Sequence, residues 1–197
     1  MNPALDPCAA DVLAFWFGAP GSAESGMARK IWFTKDAAFD AQIGERFGAL
    51  VDAALRGELT EWASTPRGAL ARLLLLDQFT RNAFRDTPRA FAGDALALVG
   101  AQALVASGGD KLLAPVERGF AYLPFEHSES LAMQDEALRL FGALAIDAPG
   151  QASLLDWAWR HHAIVARFGR FPHRNAIIGR ASSAQEIKFL RQPGSGF

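Results

Sequence analysis

Apolar residues recur at helical spacings of three and four along almost the whole chain, and no run alternates strictly enough to read as a half-buried strand. The pattern predicts an all-α protein, with helices over roughly 7–17, 36–56, 66–85, 88–107, 115–121, 129–146, 150–168 and 184–191 and short turns at Trp62 and Ile177. Asp6-Pro7, Thr65-Pro66 and Thr87-Pro88 each place a capping oxygen before a proline at the first helical position, where the missing N–H costs nothing. Ser183 and Glu186 form a capping-box pattern, and Gly18, Gly57, Gly108 and Gly169 stand where helices stop. Over 36–56, Phe39, Ile43, Phe47, Leu50, Val51 and Leu55 make the wide stripe of a core-facing helix. Each such side chain contributes about 1.5–3 kcal/mol on burial before entropy is subtracted. Linkers are short, so residues 1–197 read as one domain, with 18–26 as a mobile loop and 192–197 as a flexible tail. Short connections favour antiparallel neighbours and fit either a bundle or a layered solenoid.

Several ionisable residues interrupt the apolar stripes. Leu70, Leu73, Leu74, Asp77, Arg81 and Phe84 share one face of the 66–85 helix, which puts Asp77 and Arg81 at core positions, four residues apart and able to meet. A desolvated pair needs further hydrogen bonds, for which Gln78, Asn82 and Arg85 are placed. In the 150–168 helix, His161 falls on the face of Leu154, Ala158, Val165 and Phe168, so it is expected to point inward, with His162 nearer the margin.

Two further clusters lie outside long helices. In the run from Glu117 and Arg118 to Glu129, Pro124 argues against a continuous helix, so Glu126 and His127 are expected on a turn before a helix capped near Ser128. An adjacent Glu-His pair lacks the spacing that brings two metal ligands onto one helix face, so no metal is expected there. From Trp157 to Gln185 there is no acidic residue, while five arginines and three histidines occur. There Asn175 is a candidate N-cap for a short helix from Ala176, and with Arg170, His173 and Arg174 it would form an anion site. The competing reading has these arginines neutralising buried acids or capping helix C-termini.

Composition narrows the classes. The 197 residues are 50% hydrophobic and 21% charged with a formal net charge of −1, as in a folded domain with no bulk attraction to nucleic acid or anionic membrane. Nucleic-acid binding through 160–180 would need those arginines outward on one surface, and part of the set is expected inward. Cys8 has no partner, which excludes an internal disulfide and suggests a reducing compartment. Met1 to Ala10 contain no basic segment before an apolar run, and the uncharged stretch Ala95–Gly109 is shorter than the ~18–20 residues of a membrane span, so a cytoplasmic protein is expected.

Phe15-Trp16-Phe17-Gly18, Leu75-Leu76-Asp77-Gln78-Phe79 with Arg81-Asn82, Tyr122-Leu123-Pro124-Phe125-Glu126-His127-Ser128-Glu129, and Arg167 through Asn175 resemble a bacterial and fungal family, domain of unknown function 924. The resemblance runs from about Asp11 to the C-terminus and implies a tetratricopeptide-like helical superhelix; it implies no activity. The family usually carries proline where this chain has Thr80. No tetratricopeptide consensus is visible, so peptide binding by that route is analogy.

Together these features suggest a helical module in which Asp77, Arg81, Arg118, Glu126, His127, His161, Arg170, His173, Arg174 and Asn175 hold an anionic small molecule or a peptide carboxylate. A different class is a hydrolase or transferase with His161 or His173 as base and Glu126 as acid or orienter, although no nucleophile elbow, phosphate loop or metal motif is present and no cofactor is expected. A purely structural interaction scaffold is the third reading.

Overall fold

The computed structural model describes residues 4–196; the extreme ends of the expected domain and tail lie outside them. Among the described residues there are eight α-helices and no strand: α1 (Pro7–Phe17), α2 (Ala37–Leu55), α3 (66–83), α4 (Asp94–Ala106), α5 (Pro115–Glu126), α6 (Leu131–Asp147), α7 (Ser153–Phe168) and α8 (Ala184–Leu190). Helices adjacent in sequence pack on one another from α3 to α7, while α1 and α2 pack against α3, a layered order that fits a helical superhelix. Segment 18–26 is a succession of turns closed by backbone bonds such as Ser22 N–H to Ala19.

Local chemistry accounts for the starts of α1, α3 and α8, while the expected Thr87 cap makes no bond to the turn that follows it. The Asp6 carboxylate accepts from the Cys8 and Ala9 N–H groups, Thr65 accepts from Gly68, and Ser183 and Glu186 close a capping box on α8. The core is strongly aromatic where α1, α2, α3 and α5 meet. Phe15 stacks on Phe39 at 5.2 Å, and Trp16 meets Phe79 at 5.4 Å and the edge of Phe120 at 5.6 Å. Such pairs add about 0.5–1.5 kcal/mol to their burial. A smaller cluster of Ile164, Val165 and Phe171, with Phe168 and Phe189, holds the C-terminal segment on α7.

Four local expectations are corrected. The expected helix over 88–107 is instead a 3-10 turn at Pro88–Phe91 followed by α4. By length and mean hydropathy Pro88–Ala106 could span a membrane, but here it is broken at Ala92-Gly93, and its Ala97 and Ala101 are fully buried in the core. Pro124 does not end α5, because it sits in the last turn, where only one backbone bond, to the Phe120 carbonyl, is forfeited. Glu126 is therefore the last residue of α5 and His127 its C-cap, so neither sits on a loose turn. The next helix begins at Leu131, with Ser130 as its cap residue, later than the Ser128 start expected. No helix starts at Ala176: 175–179 is a turn, and the Asn175 side chain bonds Ser182 and accepts from Arg180.

The helix α3 carries the main irregularity. Its first part, Pro66–Leu73, and last part, Thr80–Ala83, are α-helical, but Leu74–Phe79 is a π-helical turn. Thr80 Oγ1 donates to the Leu76 carbonyl at 2.8 Å, and Arg81 Nη1 donates to the Asp77 carbonyl at 2.7 Å, so two side chains bond backbone oxygens of the widened turn. Thr80 thus stabilises the widened turn through its hydroxyl. Gly93 lies on the same turn so closely that an added Cβ would stand 2.1 Å from the Leu76 carbonyl oxygen. Gly93→Ala is expected to cost about 3 kcal/mol, since two backbones must separate. Gly142→Ala on α6, where a Cβ meets nothing within 4 Å, should stabilise by about 0.5–1 kcal/mol. Urea midpoints of the two variants check both signs.

Candidate functional site: a buried charge and imidazole network

The π-turn presents Asp77 to the interior, where it is 1% exposed. Its carboxylate meets Arg81 Nη1 at 3.0 Å and His127 Nδ1 at 2.7 Å, and accepts from Gln78 Nε2 at 2.5 Å. Burial pushes the Asp77 carboxyl up, but Arg81 and His127 outweigh this and hold it well below the usual carboxylate range. Arg81 also reaches Asp94 at 2.9 Å, and Asp94 in turn pairs with Arg174 Nη1 at 3.0 Å. Arg174 donates from Nη2 to the His127 carbonyl, the C-terminal end of α5, and lies between the Phe91 and Phe171 rings, 4.7 Å from each centroid.

Beside this network, His161 from the middle of α7 places Nδ1 2.9 Å from Glu126 Oε1 and 2.9 Å from the Trp157 carbonyl oxygen. The rings of His127 and His161 are 6.0 Å apart. His173 packs on Phe171 at 5.7 Å, and burial, followed by Arg174 and the neighbouring imidazoles, pushes it down to about 4. Gln134 on α6 ties the end of α5 in place by donating to the Glu126 carbonyl at 2.5 Å and the Ser128 carbonyl at 2.7 Å.

Asp77, Arg81, Glu126, His127, His161, His173 and Arg174 are thus gathered in one region. Arg118 is elsewhere, bound to Tyr122 and to Asp147 at 3.0 Å. Arg170 and Asn175 belong to a separate latch: Arg170 grips Glu186 at 2.6 and 2.8 Å, while Asn175 joins Ser182 and Arg180. Arg180 pairs with Glu129, which also accepts the Phe171 N–H. These bonds fix the turn that delivers His173 and Arg174. Asn82 and Arg85, candidates to satisfy Asp77, bond Asp40 on α2 instead. His162 is marginal, as expected, and meets Asp135 at 2.8 Å.

Asp94, Phe91 and Gln134 are neighbours of the network that the sequence did not reveal. Asp94 reads as an ordinary first-turn acid, and only the fold brings it between two arginines. Two surface clefts, one with Trp32, Phe33, Phe120, Leu123 and Leu154 and one with Leu5, Ala10, Ala14, Pro20 and Arg67, include none of the network.

An all-helical domain built around a buried network of arginines, carboxylates and imidazoles is the class that these observations define. Within it, the chain belongs to the family described as bacterial protein of unknown function (DUF924), whose family model matches residues 12–194. A solved structure of a protein of unknown function from Agrobacterium tumefaciens is 40% identical, with a TM-score of 0.82, over 93% of this chain and 97% of that one. No functionally curated protein matches the sequence.

Proposed function

We propose that this protein is a helical ligand-binding module in which Arg81 and Arg174 take the carboxylate or phosphate of a small anion or a peptide carboxylate. One observation carries the reading: both guanidiniums reach the carboxylate of Asp94, and each keeps a buried nitrogen, Arg81 Nη2 and Arg174 Nε, with no hydrogen-bond acceptor among the described residues. A buried donor without an acceptor costs about 1–3 kcal/mol, and an oxyanion offers the lone pairs that would recover it. Asp94 is 22% exposed, so the arginine pair lies near solvent on that side. Exposed Cys8, with no disulfide partner, suits a cytoplasmic setting.

The test is thermal denaturation against a panel of carboxylated and phosphorylated metabolites and C-terminal peptides, in EDTA. A ligand at 100 times its Kd contributes about 2.7 kcal/mol, which for a domain of this size raises Tm by about 5–10 °C. The rise should vanish in Arg174→Ala; a panel in which no anion shifts the wild type would leave the network a structural one.

The hydrolase or transferase reading draws on the 2.9 Å contact between Glu126 and His161, the orienter-to-base geometry of general-base catalysis. The nearby hydroxyl of Ser128 accepts from the Ser130 N–H in the turn ahead of α6, which favours a local structural role for it over a nucleophilic one.

A further inference from the structure

We propose that Glu126, His127 and His161 form a binding site for one divalent transition-metal ion of the zinc or ferrous class. Each of the three offers one ligand atom, and these atoms all lie within 4.8 Å of one another. Ligand atoms about 2.0–2.2 Å from a tetrahedral ion are about 3.3–3.6 Å apart, so closure around an ion needs only a small inward movement. The adjacent pair Glu126-His127 is no metal motif by itself. Its third member comes from His161 on α7, which the fold packs against α5.

Charge supports the same site. Asp77, Asp94, Glu129 and Glu186 each have an arginine within 3.0 Å. Glu126, with a side chain 4% exposed, meets no lysine or arginine at ion-pair distance among the described residues, and its ion-pair neighbour is an imidazole. A buried carboxylate facing two histidines and no fixed cation is the donor set of a metal ion, whose charge would supply the missing compensation.

The surroundings match what a metal centre requires of its supports. Asp77 receives His127 Nδ1 at 2.7 Å, the carboxylate–histidine arrangement that fixes the tautomer, raises ligand basicity and leaves Nε2 carrying the lone pair. Asp77 is itself held by Gln78 and Arg81, and Gln134 holds the backbone of Glu126. All three ligands therefore stand on packed helix, a cap residue included, and need little ordering. Two imidazoles and one carboxylate suit zinc or iron over magnesium or calcium, which prefer all-oxygen shells, and they leave coordination positions open. This site goes beyond the anion reading, because neither Arg81 nor Arg174 is a ligand.

Cobalt titration of EDTA-stripped, dialysed protein, followed by visible absorption, tests the site. The expected result is a band that saturates at one cobalt ion per chain and is displaced by zinc. His161→Asn and Glu126→Gln should each weaken binding tenfold or more. Imidazole NMR gives a readout that needs no variant: on zinc addition the His127 and His161 resonances move, and those of His162 stay. Absence of saturable one-to-one binding in the wild type, shifts confined to other histidines, or unchanged affinity in both folded variants would overturn the proposal. Since the anion screen is run in EDTA, either reading can fail while the other survives.

Discussion

Asp77→Ala is expected to lower stability by about 3–5 kcal/mol, the loss typical when one member of a buried ion pair is removed and the other stays behind. Three donors converge on this carboxylate: Arg81 at 3.0 Å, His127 at 2.7 Å and Gln78 at 2.5 Å. Without it, Arg81 keeps only Asp94 as a carboxylate partner among the described residues, and His127 Nδ1 loses its acceptor. Asp77→Asn keeps the shape and one acceptor oxygen, so it should cost less. At two to four degrees per kcal/mol for a chain of this length, the alanine variant should melt roughly 6–20 °C lower. Asp11→Ala, which removes an ion pair of about half-exposed side chains, should change stability by no more than about 1 kcal/mol. Urea unfolding with unchanged slope checks the comparison; equal effects at Asp77 and Asp11 would remove the network from any account of stability.

A second large effect is expected from acid. His173 ordinarily titrates near 6.5 and is pushed down to about 4 in the fold. The unfolded chain therefore takes up this proton first, so its contribution is complete above pH 6.5 and is lost as pH falls from 6.5 toward 4. Each tenfold difference in proton affinity between the folded and unfolded chain is worth about 1.4 kcal/mol. Allowing for partial solvent access, the fold should lose about 2–3 kcal/mol across that window. Asp77 and Glu129 are held low by their arginines and histidine against the opposing push of burial, so their stabilisation is present above the unfolded carboxylate range and lost below it. Their loss follows that of His173 as pH falls. Burial pushes the neighbouring His127 down as well, so in His173→Gln the loss between pH 6.5 and 4.5 should be clearly smaller than in the wild type without vanishing, read from denaturation midpoints at half-unit intervals; a slope unchanged from wild type would assign the acid sensitivity to other groups.

Much of the helical framework is legible from periodicity because apolar spacing and capping are local. Asp6, Thr65 and Ser183 cap where the residue pattern places them, and Asp77 meets Arg81 because four residues bring them together on any helix. The inward turn of His161 follows from its stripe in the same way. Where the local rules mislead, a long-range contact intervenes. Gly93 against the Leu76 carbonyl accompanies the break in 88–107, and the turn at 175–179 is tied by bonds to Glu129 and Glu186 from other elements. Pro124 is tolerated because it lies in the last turn, a boundary that the sequence alone placed too early.

The sequence by itself determined an all-α chain, its principal caps, and ionisable residues on core-facing stripes, since each follows from spacing within about one or two helical turns. Apart from the Asp77–Arg81 pair, only the tertiary structure decided which of those residues meet. It put Arg118 and Arg170 into separate ion pairs, inserted Asp94 between Arg81 and Arg174, and brought His161 to Glu126 and His127. The physical reason is that a charge in the core is matched by whatever partner packing delivers, and packing joins helices whose separation along the chain says nothing about their distance in space.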